Sequence, residues 1–297
     1  MSNLPEFERI KYITATAGMQ LIVMSDMHRG DGSGADDFAQ NSLIYRCALE
    51  YYLENSFTYI ELGDAEELWE NDDFDQIYIT HTPVYDLLEK FHDPDPEKTR
   101  YIKVWGNHDL YWKDHQDIYQ ALFPKMQIYE AVILNDSILM IHGHQADPMC
   151  SGPVAAVSQF FVNHIWADLQ RTGVKDPTRA ATNPGLCNEV DERLHKWATN
   201  NDRGITAIIA GHTHRAVFEN LSLTEMRLQT IRFKHEDVAD LQTRRDPRYY
   251  NTGSCVYPMT ITGIEITSEN SPHLEMVEWG LATESGKMTV RKNAVIS

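Results

Sequence analysis

Five short clusters of aspartate, asparagine and histidine punctuate the chain: SDMH with Asp26 and His28, LGDAEE with Asp64, WGNHD with Asn107 and His108, IHGH with His142, and AGHTH with His212 and His214. Each follows at once on an apolar run that reads as a β-strand. Carboxylate, amide and imidazole groups all ligate divalent metals. In open α/β sheets ligands gather beyond the carboxyl ends of the strands, so clusters spread from residue 26 to residue 214 can meet in space. A dinuclear site holds its cations about 3.5–4 Å apart, and their repulsion calls for a carboxylate that bridges them. Asp64 suits that task. Singly, a DxH or a GD is a common turn sequence. Five in this order, all at strand ends, point to a metal centre.

The elements that must position these residues follow a strand–helix rhythm. Strands are expected at 20–25, 57–62, 101–105, 131–134, 137–141 and 205–210, with Asn135-Asp136 as the turn between the fourth and fifth. Apolar spacing predicts helices over 36–55 and 81–92. Residues 145–203 break the rhythm and read as a helical insertion within a single domain spanning 1–297, with an apolar stretch VAAVSQFFVNHIW, a polar linker and a helix near 188–199. Val154, Val157, Phe160, Phe161 and Ile165 share one helical face. It packs on the core or acts as a lid over an apolar part of a substrate. Beyond 214 the chain turns to β-rich segments, which suits an α/β core of two sheets.

Composition narrows the function classes. With 297 residues, 42% hydrophobic and 24% charged, the chain can bury a full core. The net charge of −18 repels nucleic acid and anionic membranes at long range, so no stable nucleic-acid partner is expected. No apolar run approaches the roughly 20 residues that span a bilayer, and the amino terminus lacks a secretory pattern. Cys47, Cys150, Cys187 and Cys255 are scattered, so a disulfide framework is not expected and a cytoplasmic location is. His81, His92, His115, His164, His195 and His235 read as surface or helix residues, and Asp31, Asp36 and Asp37 as an exposed acidic loop.

The ordered motifs DxH, GDxxE, GNHD, H and GHxH resemble those of the calcineurin-like metallophosphoesterase superfamily, over residues 20 to 256. The resemblance implies a four-layer α/β/β/α sandwich and two divalent cations, manganese foremost, with iron or zinc as alternatives. It implies that Asp26, His28 and His214 hold one cation, that Asn107, His142 and His212 hold the other, and that Asp64 bridges them. His108 would serve as general acid, with Glu67 orienting it. The implied reaction is attack of a metal-bridging hydroxide on a phosphomonoester, phosphodiester or pyrophosphate. Arg29 and Arg215, each following a metal motif, are candidates to contact a phosphate oxygen.

GDAEELWENDD, the stretch 145–203 and the later NTGS are similar to the UDP-2,3-diacylglucosamine pyrophosphohydrolase branch. That branch has arginine where this chain has His108, and HGD where it has His142-Gly143-His144. The departures favour a broader phosphoesterase acting on a small anionic phosphate. The arginine of the protein serine/threonine phosphatase motif is missing from LGDAEELWE. A cyclic-nucleotide phosphodiesterase or nuclease is the alternative enzyme, and a non-catalytic scaffold the alternative class. Homo-oligomerisation stays open.

Overall fold

The computed structural model describes residues 4–34, 36–71, 73–148, 150, 184–219, 221–222, 248–269, 271–284 and 287–296. Apolar strands come first: β1 (Ile10–Ile13), β2 (Met19–Met24), β3 (Thr58–Leu62), β4 (Tyr101–Val104), β5 (Ile128–Tyr129), β6 (Ala131–Leu134), β7 (Ile138–Ile141) and β8 (Ala207–Ala210). The later strands are β9 (Val217–Phe218), β10 (Leu221–Ser222), β11 (Arg248–Asn251), β12 (Thr260–Ser268), β13 (Pro272–Glu284) and β14 (Lys287–Ile296). The helices are α1 (Ser42–Glu54), α2 (Phe74–Phe91), α3 (Gln116–Gln120) and α4 (Pro184–Thr199).

Two seven-stranded sheets result, ordered β14-β13-β12-β2-β3-β4-β5 and β1-β6-β7-β8-β11-β9-β10. β2, β3, β4 and β5 run parallel, as do β7, β8 and β11. Strands buried on both faces need apolar residues at every position, which is why β2, β6, β7 and β8 read as continuous runs.

Alternate residues of these strands enter different cores. Leu21, Val23, Ile60, Leu62, Ile138 and Met140 fill the space between the sheets. Ile22, Met24 and Tyr59 face α1 and α2, beside Ile44, Tyr45, Leu49, Ile77 and Leu88. Leu139, Ile141, Ile208 and Ala210 face α4, whose Val190, Leu194 and Trp197 cover the second sheet. Three cores make four layers, helix, sheet, sheet, helix, and the expected sandwich is present. Each buried Leu, Ile or Val contributes about 1.5–3 kcal/mol.

Residues 184–199, inside the expected insertion, thus supply the fourth layer. The apolar stretch 154–166 lies outside the described residues. α2 begins seven residues before the expected helix at 81. Asp73 caps it, accepting from Asp75 N at 2.9 Å. Pro83 does not end the helix; it kinks it at His81 (φ −110°, ψ 21°). Thr82 Oγ1 donates to the carbonyl of Ile79 that Pro83 cannot serve. His81 and Asp36, expected at the surface, form a buried pair at 2.8 Å. The described cysteines are free. No described helix is long and apolar enough to cross a membrane.

Candidate metal centre

The five motif loops leave the carboxyl ends of β2, β3 and β4 in one sheet and of β7 and β8 in the other. Backbone bonds lock them in series: Asp26 N to Gly63 O (3.1 Å), His28 N to Asp64 O (2.9 Å) and Gly211 N to His142 O (2.8 Å). Two bonds cross between the sheets. His212 N donates to the Asp26 carboxylate at 3.0 Å, and His142 Nδ1 donates to Leu62 O at 3.0 Å. Asp26, His28, Asp64, His212 and His214 all lie at positive φ, between 50° and 69°. Such backbone costs non-glycine residues about 1–2 kcal/mol each. The glycines of the motifs allow the crowding: a Cβ on Gly106 would strike Asp64, and one on Gly211 would strike Ser25 and Asp26.

The expected ligands meet in two groups, Asp26 with His28 and His214, and Asp64 with His142 and His212. His28 Nε2 and His214 Nε2 face one another at 3.1 Å, and His214 Nε2 lies 3.2 Å from Asp26 Oδ1. Asp64 Oδ2 lies 3.0 Å from His142 Nε2 and 3.8 Å from His28 Nε2, so it reaches both groups. Metal-ligating histidines almost always give their other N–H to a carboxylate or carbonyl. Three do so here. His28 Nδ1 donates to Glu67 (2.7 Å), His142 Nδ1 to Leu62 O, and His212 Nε2 to Asp147 (2.8 Å). Asn107 is buried and its Oδ1 has no partner among the described residues, as a carbonyl awaiting a cation would be. The donor set fits two divalent cations.

Electrostatics say what the cations replace. Burial works against the charge of Asp26, but His214 and His142 outweigh burial and hold it down at about 2. Burial likewise opposes a charged His142, yet Asp64 and Asp26 raise it to about 9. Burial dominates His28 and His144, which both move below the usual imidazole value. Without metal, a proton on His142 therefore takes the cation's place. A raised folded value stabilises below the unfolded value near 6.5 and is lost as pH climbs through about 9. His28 and His144 stay neutral across that window. The chelated protein should thus lose stability between pH 6.5 and 9, while metal affinity rises. Unfolding midpoints measured with and without chelator check this, and a chelated midpoint flat across the window would refute it.

Beside the ligands, His108 Nδ1 donates to Glu67 Oε1 at 2.7 Å. One carboxylate therefore holds both the candidate acid and the candidate ligand His28. The indole of Trp69 stacks on His108 with centroids 4.2 Å apart, fixing the ring from its face. Glu67→Gln removes the charge that both imidazoles share. It should weaken cation binding about tenfold to a hundredfold, the usual effect of losing such a partner, as calorimetric titration with manganese would read. Unaltered binding would leave Glu67 serving His108 alone.

Arg29 departs from its expected place. It is fully buried, with Nη1 on Glu61 (2.9 Å) and Nη2 on Glu66 (2.6 Å), so it cannot reach a substrate phosphate. Lys103 joins the same two glutamates at 2.6 and 2.8 Å. Asp109, 3.7 Å from Lys103, accepts from the backbone of Gly106, Asp64 and Ala65 and so ties the cluster to the metal loops. Burial pushes Asp109 up to about 6 against the pull of Lys103. Arg215 is half-buried against α4, on Asn188 and Asp191. Asp147, Lys103 and Glu61 lie outside the motifs, while Glu66 and Asp109 lie in LGDAEE and GNHD with no role assigned to them by the sequence. Asn251, within NTGS, braces the last motif by donating to Gly211 O at 2.6 Å.

No protein-family model matches the chain, and no curated protein matches it. Among solved structures it is similar to vacuolar protein sorting 29 from Cryptosporidium parvum, at 13% identity and a TM-score of 0.40, covering 95% of this chain and 100% of that one. It is also similar to a Saccharomyces cerevisiae protein serine/threonine phosphatase related to human phosphatase PP5, at 11% identity and a TM-score of 0.39, covering 95% and 82%. Likenesses this distant add no weight, and the layers and the site geometry stand on their own.

Proposed function

We propose that the protein is a dinuclear, metal-dependent phosphoesterase of the calcineurin-like kind, cleaving a phosphate ester or anhydride. The supporting observation is the meeting of two ligand groups through Asp64, with a carboxylate-held imidazole at their side. In this reading Asp26, His28 and His214 take one cation, Asn107, His142 and His212 the other, and Asp64 both. Carboxylate, amide and imidazole donors suit manganese, with iron and zinc also compatible. Bound cations supply an acidified water and positive charge for the phosphoryl oxygens.

The chain's own groups do the rest. Asp26 and His142 are sealed from solvent, while His214 keeps 12% of its side-chain surface, so substrate enters past His214. To act as an acid His108 must carry a proton on each nitrogen, and Glu67 accepts the one on Nδ1. His108 gives the Nε2 proton to the departing oxygen and keeps the Nδ1 proton that it donates to Glu67. The Trp69 stack keeps the ring from swinging away during transfer. The test is hydrolysis of p-nitrophenyl phosphate and bis-p-nitrophenyl phosphate by chelated protein with and without added manganese. Turnover that requires the metal supports the reading, and the ratio of the two rates separates monoesterase from diesterase. Protein that binds no metal and turns over neither ester would end it.

A further inference from the structure

Beyond β7 the chain coils through three successive tight turns. Ala146 N donates to Gly143 O at 3.0 Å, Asp147 N to His144 O at 3.0 Å, and Cys150 N to Asp147 O at 3.2 Å. Pro148 takes the second position of the last turn, where its fixed φ is favoured. The coil brings Asp147 and Cys150 up to His212 of the final motif. A carboxylate oxygen of Asp147, the Cys150 sulfur and a ring nitrogen of His212 all lie within 4.8 Å of one another. Among the described residues no other cysteine enters such a group.

Two of the three are already joined. His212 Nε2 lies 2.8 Å from Asp147 Oδ2, with both side chains almost sealed from solvent. In the dinuclear reading Nδ1 of the same ring is left for the second cation. Cys150 is half-buried, and burial together with Asp147 pushes its thiol well above the usual range. A carboxylate alone is enough to orient His212, and a thiol is a weak hydrogen-bond partner that adds little to that task. Carboxylate, thiolate and imidazole together are a zinc donor set, with three protein ligands and a fourth position open to water. Manganese prefers oxygen and nitrogen donors, so the sulfur discriminates between ions.

We infer that Asp147, Cys150 and His212 form a third cation site, selective for a thiophilic ion such as zinc over manganese, and sharing the His212 ring with the dinuclear centre. On binding, the ion displaces the Cys150 thiol proton and the His212 Nε2 proton, and both pass to solvent. The imidazole then joins two cations, one on each nitrogen. The sharing rests on the dinuclear reading, whereas the three-donor site itself does not.

Cobalt(II) reports the site, because a thiolate ligand gives it a charge-transfer band in the near ultraviolet that oxygen and nitrogen donors do not. Cobalt added to the manganese-loaded protein should produce this band, and added zinc should abolish it. Cys150→Ser should lose the band yet still bind two manganese ions, and its zinc stoichiometry should fall from three to two. The unaltered protein gives an independent reading through maleimide labelling mapped by mass spectrometry. Zinc should slow labelling of Cys150 at least tenfold, and manganese should leave it unchanged. A wild-type protein without the band, a band that survives Cys150→Ser, or labelling that zinc fails to slow overturns the inference. Thiolate signals in a protein that binds no manganese would keep the zinc site and remove the dinuclear centre instead.

Discussion

His108→Ala should lower hydrolysis of an alkyl phosphate by about two to four orders of magnitude, the usual worth of a general acid with a poor leaving group. The loss on p-nitrophenyl phosphate should be much smaller, because nitrophenolate departs with little help from a proton. The contrast arises from the geometry. The imidazole is clamped by Glu67 at 2.7 Å on Nδ1 and by Trp69 across its face, which leaves proton transfer to Nε2. Cation stoichiometry measured on the same variant should stay at two, which distinguishes a lost proton donor from a dismantled site. An equal loss on both esters would mean that His108 stabilises phosphoryl charge and protonates nothing.

Lys103→Met should destabilise the protein by about 3–5 kcal/mol, the range for removing one partner from a buried ionic cluster. Among the described residues, Glu61 and Glu66 would keep only Arg29 as a cation, with both carboxylates fully buried. Tyr101 and Tyr85 donate to these carboxylates at 2.7 and 3.0 Å but carry no charge to offset theirs. Pairing Lys103→Met with Glu66→Gln should restore part of the loss, because the excess negative charge falls. Urea unfolding of both variants checks the coupling, and strictly additive losses would show that the cluster does not act as a unit. The effect should spread to the metal loops through Asp109, which accepts from three of their amides.

The meeting of Asp26, His28, Asp64, His142, His212 and His214 was legible in the sequence because such residue types seldom end one apolar strand after another. The buried ions were not. Glu61 in FTYIEL and Lys103 in YIKVW look like the solvent-facing members of half-buried strands. They become a pair only because β3 and β4 are neighbours in a register that sets Glu61 opposite Lys103, under the cover of α1 and α2. Sheet order and register are long-range properties that no local pattern encodes. Asp147 was hidden for a similar reason: its meaning lies in His212, 65 residues away. β1 and β5, of four and two residues, are too short to leave a periodic trace. Pro83 obscured the start of α2, since a proline more often opens or ends a helix than sits inside one.

The centre joins the ends of two sheets, and its residues include contacts between positions 186 apart in the chain, such as His28 with His214. In the denatured chain those groups are separated by a loop whose closure entropy must be met before any cation can find them together. The sheets must therefore be built and stacked first, by the apolar alternation of β2, β3, β7 and β8. Metal cannot template this fold. A cation bound here would arrive at a finished seam and act as a late fastener, holding the native state by mass action while leaving the slow, nonlocal search that precedes it to the chain alone.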